Sequence, residues 1–145
     1  MPFCRFLRLP HLRILVVEDC PADVDLLLLA FQRAAVSHPV DVVHKAKDAI
    51  AYLASADPLP ALVMLDVNLP DMPGFEVLRV LRRDQGLAKI PVVVFTSQPK
   101  TGDLQHALML GANSFMPKPL GFSEFLRDVE SIKKRWLSSA HSESS

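Results

Sequence analysis

Three features of this chain predict an α/β fold built on an open, doubly wound parallel sheet. Short apolar runs at Arg13–Val17, Leu62–Leu65 and Pro91–Phe95 lack the alternation of strands that face water on one side. Segments with helical spacing follow each run. Turn residues such as Asp57-Pro58-Leu59-Pro60, Gly86 and Gly111 punctuate the alternation. Regular strand–helix alternation with right-handed crossovers gives five parallel strands covered on both faces.

The elements follow in order. Residues 1–11 read as a loose arm, and residues 12–137 as one domain. Arg13–Val17 is a buried strand. Pro21 suits the first helical turn, where its missing N–H would be an orphan anyway, so a helix is expected over Ala22–Ala35. Val40–His44 is a short β-branched strand. Asp48–Ser55 is an amphipathic helix with Ile50, Leu53 and Ala54 toward the core. Leu62–Leu65 is the central strand, and a proline-bearing loop leads from Asp66 to Gly74. Phe75–Asp84 is a helix with Phe75, Leu78 and Leu81 on one stripe, stopped by Gly86. Pro91–Phe95 is the fourth strand, with proline at its first residue, where the ladder tolerates it. Gly102–Leu110 is a helix that Gly111 ends. Ser114–Met116 is the fifth strand and Phe122–Leu137 the last helix. The serine-rich residues 138–145 read as a disordered tail.

Composition narrows the function classes. The chain has 145 residues, and 16 Lys plus Arg balance 16 Asp plus Glu. A neutral chain gives no nucleic-acid footprint. No run approaches the ~20 apolar residues of a membrane span, and Met1–Leu12 lacks the apolar region of a signal peptide. Cys4 and Cys20 make neither a metal spacing nor a disulfide framework, which fits free thiols in a reducing cytoplasm.

The chemistry sits where the strands end. In a parallel sheet all carboxyl ends share one edge, so Glu18, Asp19, Asp66, Thr96 and Lys118 are expected in one crevice. Two carboxylates ~4 Å apart repel by about 4 kcal/mol at an effective dielectric of 20. A proton or a cation must relieve that, and oxygen ligands without His or Cys point to Mg²⁺. A cation there lets a carboxylate act as nucleophile toward a phosphoryl group. Asp66 is the best nucleophile in the crevice, and the product would be an aspartyl phosphate. Lys118 and Thr96 would then serve its phosphoryl oxygens. Singly, such residues read as turn formers, surface charge or structural hydroxyls; their joint order carries the argument.

That order closely resembles the receiver domain of two-component response regulators. The motifs are Ile14-Leu15-Val16-Val17-Glu18-Asp19, Leu65-Asp66-Val67-Asn68-Leu69-Pro70-Asp71-Met72-Pro73-Gly74, Pro91-Val92-Val93-Val94-Phe95-Thr96-Ser97 and Gly111-Ala112-Asn113-Ser114-Phe115-Met116-Pro117-Lys118-Pro119. The resemblance implies the flavodoxin-like (βα)5 receiver fold, with Asp66 as phosphoacceptor. It implies Mg²⁺ bound by Asp19 and Asp66, by Glu18 through water and by the carbonyl of Asn68. Thr96 would be the switch hydroxyl, Phe115 the aromatic switch, and Lys118 the phosphoryl-binding lysine, with a cis bond before Pro119. Asn68 and Gln98 fall where the family tunes phosphoryl lifetime.

The same resemblance implies a cytoplasmic, stand-alone regulator that takes its phosphoryl group from a sensor histidine kinase and passes the signal to a downstream protein. Its catalysis would be confined to its own phosphorylation and dephosphorylation. Pro21-Ala22-Asp23, Asn68-Leu69-Pro70 and Trp136-Leu137 are most similar to the small regulators of bacterial phytochrome kinases. At least one of Leu26–Leu29 must face outward, where the family meets its kinase. Phe115 reads equally as plain core. Trp136 reads as core, with a contact in a homodimer as the alternative. The rival readings are a haloacid-dehalogenase-type phosphatase, which wants its nucleophile on the first strand, and a receiver-like interaction module that is not phosphorylated.

Overall fold

The computed structural model describes residues 12–97, 99–118 and 121–137. The expected arm, the expected tail, Gln98 and Pro119 lie outside the described residues.

Five parallel strands form one sheet: β1 (Ile14–Val17), β2 (Val40–Val43), β3 (Leu62–Leu65), β4 (Val92–Thr96) and β5 (Ser114–Pro117). Their order is β2-β1-β3-β4-β5. The helices between them are α1 (Pro21–Arg33), α2 (Ala46–Ser55), α3 (Phe75–Arg83), α4 (Asp103–Met109) and α5 (Phe122–Ile132). The pleat sorts the strand residues into two cores. Leu15, Val17, Val63, Leu65, Val92 and Val94 pack with residues of α2, α3 and α4. Ile14, Val16, Leu62, Met64, Val93 and Phe95 pack with residues of α1 and α5. All twelve are fully buried, each contributing roughly 1.5–3 kcal/mol of transfer free energy. Because both faces are covered, these strands read as continuous apolar runs.

After β1 the chain goes to β2 on one side, then crosses to β3 on the other. The crevice of an open α/β sheet lies at such a reversal, beyond the carboxyl ends.

The helices form largely as expected, with informative differences. Helix α1 starts at Pro21 itself and buries Val24, Leu27, Ala30 and Phe31. Its carboxyl end is closed by Lys133, whose Nζ donates to the carbonyls of Ala34 (2.9 Å) and Ala35 (3.2 Å). Helix α2 begins two residues before the expected Asp48, and its core side is Ala46, Ala49 and Leu53. Ala54 is exposed, contrary to expectation, because it lies about 100° round the helix from Leu53, off the stripe that Ala46, Ala49 and Leu53 define. Its first turn has no side-chain cap of its own. Asp71 caps it from the β3–α3 loop, accepting from the backbone N–H groups of Ala46 (2.8 Å) and Lys47 (2.9 Å).

Helix α3 buries Val77, Leu78 and Leu81 and ends at Arg83, before Gly86. Arg82 donates to the carbonyls of Gly111, Ala88 and Ile90 and to Asn113 Oδ1, at 2.9–3.0 Å. It thereby pins the turns that lead into β4 and β5. Gly111 has φ 101°, and a Cβ there would lie 2.9 Å from Arg82 Nε, so the expected glycine stop has both a conformational and a steric basis. The last helix was expected to run to Leu137. It is α-helical only to Ile132 and widens into a π turn over Lys133–Leu137, where Trp136 packs half-buried against the α1–α5 core.

Candidate functional site

The ends of β1, β3, β4 and β5 bring the expected residues together. A cavity of about 370 Å³ is lined by Glu18, Asp19, Asp23, Asp66, Asn68 and Lys118, among others. Carboxylate oxygens of Glu18, Asp19 and Asp66 all lie within 4.8 Å of one another.

Lys118 is the hub. Its side chain is 9% exposed, and Nζ donates to Glu18 Oε1 (2.5 Å), Asp23 Oδ2 (2.8 Å) and Asp66 Oδ2 (3.3 Å). Nζ also sits 4.8 Å over the Phe95 ring. Burial works against the ammonium, but its hydrogen bonds to Asp23 and Glu18 and the charge of Asp66 outweigh it, so its pKa is raised. Glu18 is fully buried; its second oxygen accepts from the N–H of Cys20 (3.0 Å). Burial pushes Glu18 up to about 7, against the lowering effect of Lys118. The crevice therefore wants another cation or a proton near neutral pH, as the charge argument required. Asp19 is exposed and opens toward solvent.

Asp66 is 4% exposed. One oxygen accepts from the N–H of Asn68 (3.0 Å), and the other faces Lys118. The loop that holds it depends on Gly74: its N–H donates to the Val67 carbonyl (2.9 Å), and a Cβ would fall 2.1 Å from the Asp66 carbonyl oxygen. Thr96 is fully buried; its Oγ1 accepts from Asn68 Nδ2 (2.9 Å). Phe115 is half-buried and packs against the α2–α3–α4 core. The bond before Pro119 lies outside the described residues.

The donor set fits a small hard cation. Glu18, Asp19 and Asp66 would offer it carboxylate oxygens with no His or Cys among them, and of the three Asp19 is the exposed one.

Sequence reasoning missed Asp23 and the side chain of Asn68. Asp23 looks like an ordinary acid in a helix's first turn. The Asn68–Thr96 hydrogen bond joins the loop after β3 to the end of β4, and neither segment shows it alone.

Comparison with known proteins gives a consistent result. The response regulator receiver domain profile matches residues 14–130. The chain is similar to the probable methanogenesis regulatory protein FilR2 of Methanothrix harundinacea, with 38% identity over 86% of this chain and 83% of that one. It is similar to the response regulator Rcp1 of Synechocystis sp., with 30% identity over 86% of this chain and 88% of that one. Among solved structures, the phosphorylated cyanobacterial phytochrome response regulator RcpA superposes with a TM-score of 0.80 at 36% identity, covering 89% of this chain and 96% of that one.

Proposed function

The chain belongs to the response regulator receiver family of two-component systems, and on that premise we propose that Asp66 accepts a phosphoryl group from a phosphohistidine of a sensor kinase. A carboxylate oxygen of Asp66 would form the new O–P bond as the N–P bond breaks and the imidazole leaves. The observation that carries this reading is the convergence on Asp66 of Lys118 and of the Glu18–Asp19 pair. Asp19, Asp66 and the Asn68 carbonyl would hold Mg²⁺, with Glu18 acting through water. When bound, the ion offsets the charge of the acids and of the incoming phosphoryl group. The donor set supports this, as does the existence of an Mn²⁺-bound structure of the relative Rcp1.

Lys118 and Thr96 would take the phosphoryl oxygens. To do so Thr96 turns its hydroxyl toward Asp66, and Phe115 follows into the space it leaves. That local event biases the face formed by α4, β5 and α5. Leu104, Leu108 and Met109 are exposed on α4, which supports that face as the surface read by a downstream protein or a second copy. Leu26, Leu28 and Leu29 are exposed on α1 while Leu27 is buried, which supports α1 as the kinase-facing surface. The relatives named as phytochrome regulators suggest a bacterial phytochrome as the kinase, and the reaction suggests a cytoplasmic location. Among the described residues no helix is long and apolar enough to cross a membrane.

The test is incubation with acetyl phosphate and Mg²⁺ followed by intact-mass measurement. One acid-labile phosphoryl adduct is expected on the wild type and none on Asp66→Asn. An unmodified wild type would favour the interaction-module reading, and steady turnover of a small phosphate ester would favour the phosphatase reading. Sedimentation at several concentrations, with and without a phosphoryl mimic, tests dimerisation.

A further inference from the structure

Lys118 has three N–H donors, and all three are engaged before any phosphoryl group arrives. The shorter contacts go to Glu18 (2.5 Å) and Asp23 (2.8 Å), the longest to Asp66 (3.3 Å). Glu18 precedes Asp19 at the end of β1 and is tied to the Cys20 N–H. Asp23 comes from a different element, the first turn of α1. Its side chain is 27% exposed, against 0% for Glu18, so of the two it can yield the ammonium to a newcomer at lower desolvation cost.

We propose that Asp23 is a positioning residue that draws the Lys118 ammonium toward itself in the resting state, leaving Asp66 the longest of its three contacts, and so restrains phosphoryl transfer to Asp66. This rests on the reading of Asp66 as phosphoacceptor. A phosphoryl dianion entering the crevice must take a donor from Lys118, and Asp23 competes for that donor. It also adds a negative charge beside the anion's landing site. The identity of residue 23 thus sets the height of an electrostatic gate built into α1.

The experiment compares phosphorylation by acetyl phosphate with Mg²⁺ in the full chain, following the aspartyl adduct by intact mass over time. The bond formed is Asp66 O–P, the bond broken is the acetyl O–P, and acetate leaves. Asp23→Asn is expected to raise the apparent second-order rate about three- to tenfold, mostly through a lower half-saturating donor concentration. Asp23→Glu is expected to restore the wild-type rate. Asp25→Asn removes the same charge from the same helix at an exposed position outside the cavity and is expected to leave the rate unchanged. A rate for Asp23→Asn at or below wild type would overturn the proposal, and so would an equal gain from Asp25→Asn. If Asp23→Asn fails to fold, Asp23→Ser is measured against the same control, with the same expected gain and the same overturning results. If the wild type itself takes no phosphoryl group, the underlying reading of Asp66 fails instead.

Discussion

The two ends of the sheet carry two carboxylate clusters built on opposite principles. At the amino end, Arg13 donates two parallel hydrogen bonds to Asp41 (2.7 and 2.9 Å), and the Tyr52 hydroxyl donates a third (2.5 Å). One acid meets one base and one hydroxyl, so charge and hydrogen bonds are matched. At the carboxyl end, Glu18, Asp19, Asp23 and Asp66 line a cavity whose cations are Lys118 and the exposed Lys100. The first cluster clasps β1, β2 and α2 together. The second is left overcharged, in a form that a divalent ion completes. A matched cluster favours stability, whereas an unmatched one gives up stability for the ability to bind.

The contrast yields measurable differences. Removing the base should cost far more in the cavity than in the clasp. Lys118→Met at pH 8 leaves Glu18 buried without its counter-ion, and a loss of roughly 3 kcal/mol in urea denaturation is expected. Part of that loss should return at pH 6, where Glu18 can take a proton. Saturating Mg²⁺ should act next most strongly. At a hundredfold excess over its Kd it should stabilise the wild type by about 2.7 kcal/mol, and Asp19→Asn should largely abolish the gain. The clasp should not respond to Mg²⁺ at all.

The two clusters should also respond to pH with opposite signs. Glu18 is raised by burial from its ordinary 4.5 to about 7. The folded state then holds more protons than the unfolded chain between those values, and the metal-free protein loses stability as pH rises through them. Asp41 is lowered by the hydrogen bond from Arg13, despite some burial. Its contribution is present above the ordinary carboxylate pKa and is lost as pH falls through the lowered value. Urea midpoints of metal-free protein across pH 3–8 should therefore peak between the two windows. Asp41→Asn should flatten only the acidic limb. It should lower the thermal midpoint by roughly 1–3 °C, because a partly solvated pair contributes little.

Much of the cavity was legible in the sequence because Glu18, Asp19, Asp66, Thr96 and Lys118 each sit at or just after the end of an apolar run, and parallel strands end together. The same logic could not find Asp23, which reaches the cavity from a helix and looks there like any first-turn acid. Nor could it find Asp71 as the cap of α2, since a cap donated from a distant loop has no local signature. Ala54 was misplaced because the buried stripe runs through Ala46, Ala49 and Leu53, and the residue after Leu53 lies about 100° further round the helix. The π turn at Lys133–Leu137 was hidden for a related reason: helical spacing does not distinguish a widened turn from a regular one.

The sequence by itself determined the strand–helix alternation, the two-faced burial of the sheet and the identity of the acids at its carboxyl edge. All of these follow from local hydrophobicity and from the single direction shared by parallel strands. Only the tertiary structure decided how Lys118 divides its three hydrogen bonds, that Asn68 reaches Thr96, and that Gly74 must lie against the backbone of Asp66. Those outcomes depend on distances between segments far apart in the chain, where a few tenths of an ångström separate a hydrogen bond from a gap.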